Sequence, residues 1–294
     1  MICTACPREC GIDREHIKGS CGVKAESRIT RAALHMWEEP CISGTRGSGT
    51  IFFSGCNLQC VFCQNAAISR DGDLGVAVTE QGLADTMLHL ESLGAHNINL
   101  VTPVPHYNVI ASAIVLAKDK GLSIPIVYNT NAYEKAESLK MFDGLVDIYL
   151  PDLKYVSPKL SSMFSGASDY FEYASSAIDE MYRQCGNICL DADGIANRGV
   201  LIRHLILPCC VDEARRVMNY VVSRYTNKAY FSLMSQYYPC GRALEMKYIN
   251  RKLTSRERNQ AIEHAESLRL ENVYLQGLTS ADCAFTPNFD NYFQ

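Results

Sequence analysis

From about residue 50 onward, short apolar, β-branched or aromatic runs alternate with longer amphipathic stretches, and this alternation narrows the fold more than any other feature. Residues 50–54 open the series as a strand stopped by Gly55. Residues 81–93 set Leu83, Met87, Leu90 and Leu93 three and four apart, as one face of a helix, and Gly94 follows as a stop. Residues 97–102 read as the next strand, 109–120 as a helix ended by Gly121, and 124–129 as a strand again. Strands at 146–150, 200–207, 229–234 and 272–276 continue the pattern, with helices near 170–184, 212–225 and 255–269. Strands that are apolar along their whole length are covered on both faces, the arrangement of a parallel sheet flanked by helices. The expectation is an α/β fold, a partial or full parallel (β/α) barrel.

The chain has 294 residues, 47% apolar and 20% charged, with a formal net charge of −4. That acidic balance, without a long basic run, argues against duplex nucleic acid as a partner. No apolar run reaches the roughly 18 to 20 residues of a membrane-spanning helix. The first ten residues resemble no secretory leader, so a cytoplasmic location is expected. Fourteen cysteines is a high count for such a reducing compartment, where disulfides do not persist, and points to metal or cluster ligation.

Residues 1–45 stand apart from 46–294. They hold Cys3, Cys6, Cys10, Cys21 and Cys41 with few long apolar runs, so a bound metal is expected to stand in for a hydrophobic core. The spacing Cys3-x2-Cys6-x3-Cys10-x10-Cys21 suits a structural zinc or a fully ligated second cluster, with unligated thiols as the third reading. Cys41, Cys209, Cys210 and Cys240 read as buried thiols near loop ends.

In parallel barrels the chemistry collects at the C-terminal ends of the strands. Gly55 to Asn65, after the first strand, holds Cys56-x3-Cys60-x2-Cys63. Three thiolates on one loop can face one centre, and a four-iron cluster with three cysteines leaves one iron open, whereas structural zinc is closed by four ligands. Zinc completed by a remote ligand and three unligated thiols are the alternatives.

The same loop, with Phe62 before its last cysteine and placed after the first strand of a β/α series, resembles the signature of the radical S-adenosylmethionine (SAM) superfamily. Asn129-Thr130-Asn131-Ala132, the run from Asp147 to Lys154 and the run from Leu201 to Pro208 resemble segments of the pyruvate formate-lyase activating enzyme branch. The phrases Glu38 to Gly44 and Asn97 to Pro103 are similar to those of its uncharacterised homologues.

That resemblance implies a [4Fe-4S] cluster on Cys56, Cys60 and Cys63. Its open iron would chelate SAM, and one electron would cleave SAM to methionine and a 5′-deoxyadenosyl radical that abstracts hydrogen from a substrate. The protein would orient and shield this chemistry. Phe62 would lie near the adenine. Asp152 and Lys154 would contact the methionyl group, and Asn129, Thr130 and Asp152 map onto a monovalent-cation site. Arg203, costly to bury alone, would find its anion in the SAM carboxylate. His204 alternates to the opposite face and reads as structural. The branch's Gly-Gly-Glu is absent after the second strand, leaving Asn99, Thr102 and nearby carbonyls to receive the SAM amine. A flavodoxin or ferredoxin as electron donor and a glycyl-radical enzyme as protein substrate are the implied partners. The alternatives are radical modification of a peptide or small molecule, and a non-catalytic electron carrier or sensor. Residues 169–196, polar and Tyr-rich, are expected to shape the substrate opening.

Overall fold

A computed structural model describes residues 2–278 together with 281, 287 and 289. Ten strands form one sheet: β1 (Ser27–His35), β2 (Ser48–Phe53), β3 (Val76–Val78), β4 (Ile98–Val101), β5 (Ile126–Thr130), β6 (Ile148–Pro151), β7 (Cys189–Leu190), β8 (Ala196–Leu205), β9 (Tyr230–Met234) and β10 (Asn272–Leu275). Their order is β10-β9-β8-β6-β5-β4-β2-β1-β3, with β7 on β8. Neighbours from β2 to β10 are parallel, whereas β1 runs antiparallel to β2 and β3 to β1. Among the described residues the sheet does not close, so the architecture is a partial (β/α) barrel.

The strands and helices lie within a few residues of the stretches the sequence pattern marks out. Helix Glu80–Ser92 starts where the Thr79 hydroxyl accepts from the Gly82 N–H at 3.1 Å, and it buries Leu83, Ala84, Met87 and Leu90. Several short elements escaped the pattern, among them three that shape the fold. Strand β1 mixes Arg, Thr and Ala, strand β7 has only two residues, and helix Pro158–Ser165 is too short to show a period.

Alternate strand residues divide between two cores. Ile51, Leu100, Tyr128, Tyr149 and Ile202 pack outward beneath the helices. Val127, Ile148, Leu150 and Leu201 face inward and meet Cys41 and Ile42. Those two residues sit on a strap, the connection from β1 to β2, which includes helix Pro40–Ser43. It enters the concave side of the sheet and fills its floor. Asn97 holds the strap by donating to the Ile42 carbonyl at 2.8 Å while accepting from Ser48 at 2.6 Å. Residues 27–43 are thus joined to the barrel sheet, and the loops of residues 2–26 lie against its cysteine loop.

Helix Tyr170–Cys185 takes up most of residues 169–196. Its Tyr170, Ala174, Ala177, Ile178 and Met181 are core residues, so this stretch supports the sheet and is not the rim of an opening. Its amphipathic period was present in the sequence, and buried tyrosines made it look polar. Among the described residues, no helix is long and apolar enough to cross a membrane.

Candidate active site

A cavity of about 390 Å³ opens at the C-terminal ends of the parallel strands, with residues from the strap round to the end of β10 in its wall. Cys56, Cys60 and Cys63 form one side. Their loop is fixed from below: Leu58, Val61 and Phe62 are buried, and the Val61 N–H donates to the Phe164 carbonyl at 2.8 Å. Phe62 both lines the cavity and makes edge contacts with Phe164 and Tyr237. Asn57 donates to the Tyr133 carbonyl at 2.6 Å and accepts from Asn131 at 2.9 Å. Gly55 is required where the loop leaves β2: its φ is +75°, and a Cβ there would come within 2.6 Å of the Cys21 carbonyl.

Each thiol is met by a polar neighbour: Asn131 Nδ2 at 3.3 Å from Cys56, Ser165 Oγ at 3.0 Å from Cys60, and Ser69 Oγ at 3.3 Å from Cys63. Burial pushes the Cys56 thiol up to about 12 and raises Cys60, the latter against the opposing charge of Lys154. Loading a metal here would therefore release protons. Among the described residues, no three His, Cys, Asp or Glu are gathered as a single metal ion requires. A cluster presents several metal atoms, so its ligands need not converge on one. Three soft thiols lining a cavity, with no fourth cysteine among its described lining residues, fit a four-iron cluster with an open position.

The opposite wall is charged and buried. Asp152 pairs with Lys154 at 2.6 Å and accepts from Arg203 Nε at 2.9 Å. Arg203 also donates to Asn129 Oδ1 at 2.5 Å and Glu38 Oε2 at 3.1 Å, with Glu39 at 3.8 Å. Burial alone would raise Asp152, but Arg203 and Lys154 outweigh it and hold the carboxyl below its ordinary value. Glu38 and Glu39 are raised, because burial outweighs their share of Arg203. The Tyr170 hydroxyl ties the ends of β5 and β6 together, lying between the carbonyls of Asn131 (2.9 Å) and Asp152 (2.5 Å). Thr102, a cavity residue, has φ +61°, strained for a β-branched side chain.

Phe62, Thr102, Asn129, Thr130, Asp152, Lys154 and Arg203 thus all reach the cavity. Three expectations need correction. Asn99 does not line the wall: it is fully buried and donates to Glu38 Oε1 at 3.1 Å. The anions that make Arg203 tolerable in an apolar strand are the protein's own Asp152, Glu38 and Glu39. Asn129, Thr130 and Asp152 do not turn to one point as a cation site needs, since Thr130 donates to Glu134 and the other two are held by Arg203. Sequence reasoning missed Glu38 and Glu39; the available signal was a pair of carboxylates directly before Pro40 in a stretch leading to buried residues. His204 lies on the outer face, its Nδ1 2.8 Å from the Leu153 carbonyl.

The other four thiols are neighbours, though not gathered round one metal-ion position. Burial pushes Cys6 up to about 11, and Cys21, Cys10 and Cys3 are close enough to act on it. The Cys10 and Cys21 sulfurs flank Gly19. The Cys56 N–H donates to the Cys21 carbonyl at 3.1 Å, so this group adjoins the cavity loop.

Residues 50–189 match the family model described as the Radical SAM superfamily. Uncharacterized protein MJ0674 of Methanocaldococcus jannaschii is 31% identical over 281 residues, which is 92% of this chain and 76% of that protein. The fold is similar to Streptococcus suis SuiB bound to precursor peptide SuiA, with a TM-score of 0.52, 14% identity, and coverage of 77% of this chain and 48% of SuiB. It is also similar to the FeFe-hydrogenase maturase HydG from Carboxydothermus hydrogenoformans, with a TM-score of 0.51, 14% identity, and coverage of 74% of this chain and 50% of HydG. The chain spans about half the length of these solved structures.

Proposed function

The chain belongs to the radical SAM superfamily, and from that premise we propose that it binds a [4Fe-4S] cluster and SAM in the 390 Å³ cavity and uses them for hydrogen abstraction. The observation that carries the reading is the facing of three cavity thiols by a buried Asp152, Lys154 and Arg203 wall. When bound, cluster and SAM supply one-electron cleavage to a 5′-deoxyadenosyl radical. The chain's own part is to hold. Cys56, Cys60 and Cys63 are the ligands. Lys154 and Arg203 offer cationic donors beside the cavity, and Asp152 fixes both. Phe62 and Leu58 keep that side apolar, which excludes water from a reactive intermediate.

For the radical's target we put forward a peptide position, a glycyl residue of a partner enzyme being the case that the likeness of residues 129–132 and 147–154 brings forward. An exposed Trp37 beside a partly buried His35 in the cavity wall supports a peptide over a fully enclosed small molecule. The SuiB structure contains its own precursor peptide. A flavodoxin or ferredoxin would deliver the electron. We also assign a metal to Cys3, Cys6, Cys10 and Cys21, zinc or a second cluster.

The test is anaerobic reconstitution with iron and sulfide, followed by SAM and a strong reductant. Deoxyadenosine from the parent and none from Cys60→Ala is the expected result. An intact cluster without deoxyadenosine would make the protein a carrier or sensor. Iron and zinc per chain report the second group.

A further inference from the structure

We propose that Phe52, Ile68 and Val101 form a subsite at the cavity mouth for an aromatic side chain of the peptide substrate, and that Phe289 fills it in cis until the substrate arrives; this rests on the function proposed above. Phe52 and Val101 are register partners at the ends of β2 and β4, and both line the cavity. Asn129 is the next partner at this level of the sheet, and from there through Asp152 and Lys154 to Arg203 the wall is polar. The mouth is therefore divided, charged on β5, β6 and β8 and apolar on β2 and β4. Ile68, from the short helix Ala66–Ser69 that follows the cysteine loop, completes the apolar part.

Phe52, Ile68 and Val101 make a cluster of their own, belonging neither to the core beneath the helices nor to the one on the strap. Their cover is Phe289, whose ring meets Phe52 edge-on with centroids 5.3 Å apart and planes at 77°. That is a favoured geometry for two aromatic rings, and it shows what the patch accepts. Phe289 itself is only half-buried, Pro287 lines the cavity, and neither belongs to a strand or helix. Both follow β10, so the chain returns from one end of the open sheet to cover a patch near the other. An apolar patch covered by one half-buried ring, and not by the core, is one that a second ring can take over. Phe289 reaches it on a stretch of irregular chain, and a peptide can present a ring in the same way. While Phe289 is seated, the apparent affinity for such a peptide falls by the fraction of time the patch is open.

The experiment titrates the reconstituted full chain, its cluster oxidised, with two probe peptides, acetyl-Gly-Phe-Gly-amide and acetyl-Gly-Ala-Gly-amide, followed by ligand-observed proton NMR. A ring seated about nine-tenths of the time costs a competitor about tenfold in apparent affinity. Phe289→Ala is therefore expected to bind the Phe peptide about tenfold more tightly than the parent does, and the Ala peptide no better. Phe289→Tyr, which keeps a ring on the patch, should behave as the parent. Iron content, cluster absorption and SAM affinity by equilibrium dialysis should be the same in all three proteins. A Phe289→Ala protein with no gain for the Phe peptide would overturn the assignment, and so would an equal gain for the Ala peptide. Loss of SAM affinity in Phe289→Ala without such a gain would make Phe289 part of the cavity wall and overturn it as well. A parent that bound no SAM would instead overturn the reading of function beneath, while the preference between the two peptides, which needs no SAM, would still decide the subsite.

Discussion

The two groups of thiols adjoin, the Cys56 N–H donating to the Cys21 carbonyl and Arg8 donating to the Asn57 carbonyl, yet different forces hold them in place. Cys56, Cys60 and Cys63 ride on a loop whose Leu58, Val61 and Phe62 belong to the main core. Cys3, Cys6, Cys10 and Cys21 ride on turns. Those turns are fixed by backbone bonds such as Cys3 to Ile12 at 2.9 Å and Gly22 to Gly19 at 2.9 Å, and by Arg8 reaching the Asn57 carbonyl at 2.8 Å. The difference predicts that the cavity loop is shaped before any cluster is loaded, whereas the N-terminal turns, fixed mainly by hydrogen bonds, would draw further rigidity from the metal proposed for them.

Substitution should separate the two groups. Cys60→Ala is expected to abolish deoxyadenosine formation and remove the cavity cluster while leaving far-ultraviolet dichroism and residues 2–26 intact. Cys10→Ser should do the reverse. It should lose the metal of the N-terminal group and open residues 2–26 to limited proteolysis, with the cavity cluster still visible by absorption. If Cys10→Ser emptied the cavity as well, the independence drawn here would fail.

Smaller effects probe what joins the regions. Ile42→Ala deletes a fully buried side chain under the strap and should lower the stability of the whole barrel by about 2–5 kcal/mol in urea unfolding. His106 links the end of the Cys-rich segment to the cysteine loop, with its Nε2 donating to the Ser54 carbonyl at 2.9 Å and its Nδ1 facing Ser27 Oγ at 3.1 Å. Burial lowers this imidazole from 6.5 to about 4. As the pH falls below 6.5 the unfolded chain takes up a proton that the folded chain refuses until about 4, so stability is lost across that window, by up to about 3 kcal/mol. A His106→Gln variant should show a flatter dependence of the urea midpoint on pH between 6.5 and 4; an unchanged slope would remove His106 as the cause. Thr102→Gly relieves a positive φ and should raise stability by about 1 kcal/mol or less, with weaker SAM binding as the wall loosens.

Much of the barrel was legible because its strands are apolar on both faces and its helices keep a clear period, as in residues 81–93. The cysteine loop was legible because its ligands are adjacent in sequence. The strap was not. Glu38 is 61 residues from Asn99 and 165 from Arg203, and local pattern says nothing about partners so remote. Arg203 was correctly read as needing anions, but which anions supplied them is a fact of topology: the β1–β2 connection turns into the barrel instead of crossing outside it. Asn99 misled for the same reason, since its place on β4 was right and its partner came from elsewhere.

The central claim, that the three cavity thiols hold a cluster at which SAM binds directly, is most directly tested by the electron paramagnetic resonance of the reduced, reconstituted protein with and without SAM. The account predicts a cluster signal that changes shape when SAM is added and is absent from Cys60→Ala. A signal that stays the same with SAM demonstrably bound would contradict it.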